Sequence, residues 1–158
     1  MNTADLVDSF ADEVRLCNLP FLKFGRRSAF AGPVQTVACF EDNVLLKAEL
    51  EKPGDGRVLV VDGGGSTRVA VLGDQIAGHL IGNGWAGIVI NGAIRDSVEI
   101  DGMDIGLRCL ATTPIKSGKN GTGSAGTAVR FGDVTIKPGD WLYCDADGVL
   151  LSDRELTL

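Results

Sequence analysis

The chain has 158 residues, 15 basic against 21 acidic side chains and a formal net charge of −6, which suits a single domain spanning residues 1–158 and argues against two. With 44% hydrophobic and 23% charged residues it can bury a core, which argues against disorder. The acidic balance, without a Lys/Arg run, removes the clustered basic groups that direct nucleic-acid binding requires, while association with a basic protein stays open.

Thr3 is a candidate cap for an amphipathic helix running to about Cys17, with Leu6, Val7, Phe10, Ala11 and Val14 at helical spacing. Ser28 to Cys39 reads as strand on its Val and Thr content, and Asp42 to Leu50 returns to helical spacing. After the turn cluster Pro53-Gly54-Asp55-Gly56, the run Arg57 to Asp62 is short, apolar and β-branched, as in a strand buried on both faces. Val69 to Leu72 is a further candidate strand, Gly73 to Asn83 places Ile76, Ala77, Leu80 and Ile81 on one helical face, and Gly87 to Asn91 is another buried strand. Together these last three make a β-α-β unit. Ile105 to Ala111, Val129 to Phe131, Val134 to Ile136 and Trp141 to Cys144 read as short strands, with Gly118 to Gly126 as an exposed loop. The order of elements defines an α/β fold of layered sheet and helix. Phe21, Phe24, Phe30 and Trp141 are expected to stay exposed in a chain of this size, which favours assembly into a cyclic oligomer.

Cys17, Cys39, Cys109 and Cys144 are widely spaced, with no CxxC pair and His79 as the only histidine, so zinc and redox-motif readings are poor. Met1 to Leu16 carries Asp5, Asp8, Asp12 and Glu13 where a secretory leader would be basic and then apolar, which points to a cytoplasmic protein with reduced thiols. Val58 to Val61 and Ala86 to Ile90 are a fraction of the ~20 apolar residues a membrane helix needs, so no membrane partner is expected.

Asp62-Gly63-Gly64-Gly65-Ser66 follows a buried strand and invites a nucleotide or S-adenosylmethionine reading. The spacing argues against it. GxGxxG should open a helix directly and be followed by an acid at the end of the next strand; here another strand intervenes, the strand after it ends in Asn91, and GxxxxGK[ST] is absent. A plain tight turn is the simpler account. His79 has no partner at a telling spacing, and Asp145-Ala146-Asp147-Gly148 lacks the downstream acid of a calcium loop and reads as a hairpin turn. Lys116, Lys119 and the glycine loop touch a ligand or, by default, only solvent.

A second constellation combines Gly73-Asp74-Gln75-Ile76 with Arg95-Asp96. A strand ending at Leu72 delivers Asp74 to a helix start, and about 11 helical residues at ~1.5 Å each travel roughly 16 Å away. The strand from Gly87, extended to Ile94 at ~3.3 Å per residue, is long enough to return. Arg95 and Asp96 therefore emerge beside Asp74, at the carboxyl edge of the strands where open α/β sheets hold ligands. The N–H groups of Gln75 and Ile76 can receive an anion, Arg95 offers a planar fork for a carboxylate, and Asp96 helped by Asp74 can hold a magnesium-type ion. Read alone, the same residues also fit a surface ion pair of Arg95 with Asp96 or Glu99, with Asp74 a helix-start acid.

Four blocks then resemble one family: Phe24-Gly25-Arg26-Arg27-Ser28-Ala29-Phe30-Ala31-Gly32-Pro33; Cys39-Phe40-Glu41-Asp42-Asn43; Val58 to Ser66; and Gly139-Asp140 with Asp145-Ala146-Asp147-Gly148. Over nearly its whole length the chain resembles the RraA-like family, which includes regulators of ribonuclease E activity and class II 4-hydroxy-4-methyl-2-oxoglutarate aldolases; some members have been called menaquinone methyltransferases. The resemblance implies a swivelling β/β/α fold and a homotrimer that can pair into hexamers. The aldolases share an Asp, twenty intervening residues and Arg-Asp, which Asp74 and Arg95-Asp96 match. It further implies that Asp96 binds Mg2+ or Mn2+, that Arg95 holds substrate and aids proton transfer, and that Gly73, Asp74, Gln75 and Ile76 line the substrate site, with Asp74 supporting a metal-bound water. Longer aldolases add an acidic group from a neighbouring subunit through a C-terminal extension, whereas this chain ends at Leu158.

The expected activity is therefore a metal-dependent lyase. It would cleave 4-hydroxy-4-methyl-2-oxoglutarate or 4-carboxy-4-hydroxy-2-oxoadipate to pyruvate and a second 2-oxoacid, with oxaloacetate decarboxylase side activity. The alternative is a protein–protein regulator that inhibits ribonuclease E.

Overall fold

In the computed structural model, which describes residues 2–158, the runs of β-branched residues build the frame. Strands β1 (Val14–Leu16), β2 (Leu22–Phe24) and β3 (Phe30–Ala38) follow helix α1 (Thr3–Phe10); helix α2 (Val44–Leu50) then leads to β4 (Val58–Asp62) and β5 (Ala70–Leu72). Helix α3 (Asp74–Gly82) connects β5 to β6 (Gly87–Asn91) and β7 (Ala93–Ile94), and the short helix α4 (Ser97–Asp101) leads to β8 (Leu107–Cys109) and β9 (Ala111–Thr112). The C-terminal part is β10 (Ser124–Ala125), β11 (Val129–Phe131), β12 (Val134–Ile136), β13 (Trp141–Cys144) and β14 (Val149–Ser152).

The main sheet runs in the order β1-β14-β13-β3-β4-β6-β8-β2, with β10 against β3. Its centre, β3-β4-β6-β8, is parallel and its flanks are antiparallel. Alternation in the central strands divides the core cleanly. Leu59, Val61, Ile88 and Ile90 face Leu46, Leu50, Ala77, Leu80 and Ile100 of the helices, whereas Val58, Val60 and Val89 face the concave side, which the β11–β12 hairpin fills with Val129, Phe131, Val134 and Ile136. Burial on both faces explains why β4 and β6 read as continuous apolar runs. The sheet curls until its β2–β8 edge meets the β13–β14 turn, where Arg108 donates to the carbonyls of Ser28 and Asp145 at 2.7 and 3.3 Å and Lys23 to that of Ala146. The layers are hairpin, curled sheet and helices, the β/β/α arrangement expected.

Several local expectations change. The N-terminal helix stops at Phe10, with Asn2 rather than Thr3 as its cap: the Asn2 side chain accepts from the Asp5 N–H at 2.8 Å. Thr3 instead donates through its N–H and hydroxyl to the Asp145 carboxylate. Val14–Leu16 is drawn off the helix to satisfy the open edge of β14. The strand expected to run unbroken to Ile94 splits at Gly92: β6 stays in the main sheet and β7 joins a small parallel sheet, β5-β7-β9. Phe30, expected to be exposed, is buried in the concave core at 8% exposure, and Phe21, Phe24 and Trp141 are half-buried; the large exposed apolar side chains are others, including Phe40, Val98 and Ile115.

All four cysteines are free and buried, and burial pushes the Cys17, Cys39 and Cys109 thiols up to about 12 and Cys144 to about 11. They are core residues with unreactive thiols. Asp145 to Gly148 forms the β13–β14 hairpin turn, closed by Asp145 N–H to Gly148 O at 3.1 Å. Among the described residues no helix is long and apolar enough to cross a membrane.

Candidate active site

The small sheet places the site. β5 ends at Leu72 and β7 at Ile94, and because the two strands are parallel their carboxyl ends lie side by side. The Arg95 N–H donates to the Leu72 carbonyl at 2.9 Å, tying the residue after β7 to the end of β5. Gly73 then caps α3 in extended conformation, and Asp74 is the first helical residue. The next turn of chain brings Asp96 back: its Oδ2 accepts the Asp74 N–H at 3.1 Å, so the carboxylate of one chain segment binds the helix start of another.

Two features hold Asp96 there. Its backbone sits in the left-handed region, φ 56° and ψ 41°, which Asp tolerates better than most residues and which turns the chain sharply into α4. The second is the absence of a side chain at Gly73, where a Cβ would lie 2.8 Å from Asp96 Oδ2 and 3.4 Å from Arg95 Cγ. The Asp74 N–H, opposed by burial and assisted by the Asp74 side chain and the Arg95 charge, keeps the Asp96 carboxyl below its ordinary value. Asp96 is therefore ionised at neutral pH.

The ion-pair reading of Arg95 is only loosely met. Its Nε lies 3.8 Å from Asp96 Oδ2, beyond hydrogen-bonding distance, and among the described residues it has no pair with Glu99. Both Arg95 and Asp96 side chains are 31% exposed. The N–H groups of Gln75 and Ile76 likewise have no acceptor among the described residues. Gly73, Asp74, Gln75, Ile76, Arg95 and Asp96 all line one open cleft of about 260 Å³. That is below the roughly 300–1,000 Å³ of clefts for drug-sized ligands and suits a small acid better than a dinucleotide.

Asp74 and Asp96 offer hard oxygen donors, and among the described residues no group of three or more His, Cys, Asp or Glu assembles for a metal ion. One or two carboxylates completed by water fit Mg2+ or Mn2+ and do not fit a closed zinc site. His79 lines a neighbouring cleft between α2 and α3 and not this one.

The rest of the lining includes Lys116 and Lys119, which the sequence left between ligand contact and solvent. Asn43, Lys116, Ser117 and Lys119 line the cleft, although they are remote in sequence from the β5-α3-β6 unit. What brings them is Asp42, a buried residue whose carboxylate accepts the N–H groups of Val44, Asn120 and Gly121 at 3.1, 2.5 and 3.2 Å. Burial acts to raise the Asp42 pKa, yet backbone donors from Asn120, Val44, Gly121 and Thr122 together bring it below its ordinary value. An acid before a helix reads locally as a cap, so the long-range role of Asp42 leaves no trace in the sequence.

The glycine turn resolves in the same terms. Gly63 and Gly65 N–H donate to the Asn91 carbonyl, Gly64 N–H to Asp62 Oδ1 and Ser66 N–H to the Gly63 carbonyl. Every one of these amides is consumed within the protein, which leaves none to cradle a phosphate.

A curled sheet with helices on its convex face, and an acid–arginine cleft at the carboxyl ends of parallel strands where open α/β sheets hold ligands, define the class: a single α/β domain. Residues 3–151 match the RraA-like family, described as Aldolase/RraA, and the chain belongs to that family. A protein of Alkalilimnicola ehrlichii named "Putative 4-hydroxy-4-methyl-2-oxoglutarate aldolase" is 50% identical over 154 residues, covering 98% of this chain and 96% of its own length. One of the same name from Laribacter hongkongensis is 51% identical over 154 residues, covering 98% and 97%. A crystal structure from Geobacillus kaustophilus, described as an S-adenosylmethionine: 2-dimethylmenaquinone methyltransferase, superposes with a TM-score of 0.97 at 49% identity and covers 99% of this chain and 97% of its own. The RNA-processing inhibitor RraA of Thermus thermophilus gives a TM-score of 0.96 at 42% identity, covering 99% and 95%.

Proposed function

We propose that the protein is a divalent-metal-dependent lyase that cleaves 4-hydroxy-4-methyl-2-oxoglutarate, or the related 4-carboxy-4-hydroxy-2-oxoadipate, to pyruvate and a second 2-oxoacid. The observation that carries this reading is the convergence of Asp74, Arg95 and Asp96 on one small cleft, with Asp96 Oδ2 3.1 Å from the Asp74 N–H. Relatives about half identical in sequence that bear the aldolase name support it.

Arg95 takes the carboxylate of the 2-oxoacid half, assisted by the free N–H groups of Gln75 and Ile76 at the start of α3. Asp96, with Asp74, would hold the ion, which when bound supplies a Lewis acid for the 2-oxo group. Arg95, with Asp74, assists removal of the C4 hydroxyl proton; the C3–C4 bond then breaks, its electron pair passing to the pyruvate half as an enolate, and the proton taken from the hydroxyl is returned to its C3. Loss of CO2 from oxaloacetate reaches the same enolate, so decarboxylation is the expected side activity.

The test is pyruvate release from 4-hydroxy-4-methyl-2-oxoglutarate and from oxaloacetate by purified protein with Mg2+ or Mn2+. Release that requires the ion and disappears in Asp96→Ala supports the reading; no release from either substrate overturns it. The methyltransferase named for the Geobacillus structure has no support here, because the amides of the glycine turn are already bonded within the chain.

The Thermus inhibitor favours a second reading, association with a ribonuclease. The acidic net charge of −6 would favour a basic segment on that partner. A pull-down with ribonuclease E, repeated with Arg95→Ala, separates the two: capture that survives while lyase activity is lost assigns them to different surfaces. Val98 and Ile115, 82% and 55% exposed, offer apolar surface for a subunit contact, in line with the homotrimer that the family resemblance implies; a single monomeric mass by light scattering at micromolar concentration would defeat it.

A further inference from the structure

Three asparagines in this chain precede a glycine: Asn83-Gly84, Asn91-Gly92 and Asn120-Gly121. Such a pair can modify itself, because glycine carries no side chain to shield its backbone nitrogen from the side-chain amide carbon before it. The nitrogen attacks Asn Cγ and gives up its proton, ammonia leaves, and the succinimide ring that results takes up water at either carbonyl to yield aspartate or isoaspartate. Water is the only co-reactant and nothing is oxidised or reduced. How fast each pair reacts depends on how tightly its side-chain amide is held.

Two of the three are held. Asn83 Nδ2 donates to the Leu50 carbonyl at 2.8 Å, and the Asn83 carbonyl accepts the Gly54 N–H at 2.6 Å. Asn91, the last residue of β6, is 8% exposed; its Nδ2 donates to Asp62 Oδ1 at 3.0 Å and its carbonyl accepts the N–H groups of Gly63 and Gly65. Asn120 is exposed, and among the described residues its side-chain amide has no hydrogen-bond partner, while its backbone N–H donates to Asp42 Oδ2. The nucleophile beside it is also placed. The Gly121 N–H lies outside any helix or strand and donates to Asp42 Oδ1 at 3.2 Å, so a carboxylate already sits on the proton that ring closure must remove.

We infer that Asn120 is a self-modification site whose conversion unlatches residues 116–121 from the cleft. The product carries a new negative charge on the very residue whose N–H the buried Asp42 carboxylate gathers, and like charges in one neighbourhood disfavour one another. Isoaspartate also adds a methylene to the main chain between the Asn120 and Gly121 nitrogens, which Asp42 holds as a pair. Both changes oppose the clamp that keeps Lys116, Ser117 and Lys119 beside Asn43. This chemistry is independent of what the cleft binds.

The test ages the purified full chain at mildly alkaline pH and follows each asparagine by peptide mapping in the mass spectrometer. Asn83 and Asn91 must each first give up a side-chain hydrogen bond, so Asn120 should convert about ten-fold faster than either. Asn120→Gln, with a longer side chain that closes the ring slowly, should lose the conversion. If Asn83 or Asn91 converts as fast as Asn120, or if Asn120 stays intact in the protein while a synthetic peptide of residues 117–123 converts, the site is overturned. Unlatching is read separately, by hydrogen–deuterium exchange on aged protein and on Asn120→Asp. Faster exchange at residues 116–122, with β4 and β6 unchanged, supports it; exchange identical to that of fresh wild type in both samples overturns it.

Discussion

Arg95 follows β7 and Arg108 lies on β8, the next strand along the chain, and the contrast between them separates chemistry from architecture. Arg108, on β8, is 2% exposed; its guanidinium donates to the carbonyls of Leu107, Ser28 and Asp145 and lies 5.5 Å above the Phe30 ring. It closes the curl of the sheet and has no access to a ligand. Arg95, after β7, is 31% exposed and has only the 3.8 Å approach to Asp96. An arginine with its donors spent on backbone carbonyls is a structural tie, whereas one beside a carboxylate and free amides is available to bind.

The largest expected effect comes from the available side. Asp96→Ala and Arg95→Ala should each lower pyruvate release by about a thousand-fold, as for loss of a group that stabilises developing charge, while denaturant titration finds Arg95→Ala within about 0.5 kcal/mol of wild type and Asp96→Ala about 1 kcal/mol less stable, because the Asp74 N–H loses its acceptor. A loss of stability in Arg95→Ala would mean that Arg95 is structural too, and the contrast with Arg108 would dissolve.

Arg108→Met should behave in the opposite way, costing about 3 kcal/mol of unfolding free energy because three carbonyls lose their donor inside the curl. Its kcat for pyruvate release should match wild type at a temperature where both are folded. If urea melts of this variant overlay the wild type, the sheet edge is closed by other contacts.

Gly73→Ala tests the mould around Asp96. The backbone at Gly73 is extended, so alanine is conformationally allowed there, but its Cβ would press on Asp96 Oδ2 at 2.8 Å. The expected outcome is a ten- to a hundred-fold weaker Mn2+ affinity, about that of losing a group that orients a ligand, measured by titrating the metal directly.

The smallest effect concerns the far wall. Asp42→Asn replaces two acceptor oxygens with one and should cost about 1–2 kcal/mol at pH 7. Because the folded-state pKa of Asp42 lies below its unfolded value, its contribution is present above the unfolded value of about 3.9 and fades as pH falls through the folded one. The stability gap between variant and wild type should therefore close below about pH 4. A gap that is independent of pH would show that the ionised carboxylate is not what clamps residues 120–122.

Local pattern made a good part of this molecule legible. Val58 to Asp62 and Gly87 to Asn91 are strands because uninterrupted β-branched runs bury both faces, and Asp74 to Gly82 is a helix because its apolar residues repeat at helical spacing. Chain dimensions alone bring Arg95 and Asp96 back beside Asp74, since the returning strand is long enough to span the outward helix, and the family blocks stand in the sequence as written. Tertiary structure decided what depends on partners distant along the chain. Val14–Leu16 is helical by its own spacing and a strand only because β14 offers an unpaired edge. Gly92 divides β6 from β7 because one strand has neighbours in the main sheet and the other in the small one. Asp42 and Arg108 look like a cap and a surface cation until folding surrounds them with amides and carbonyls from residues roughly 80 positions away, such as Asn120 and Ser28. Periodicity records which face of an element is apolar, but pairing energy is shared between segments, and neither segment alone carries that information.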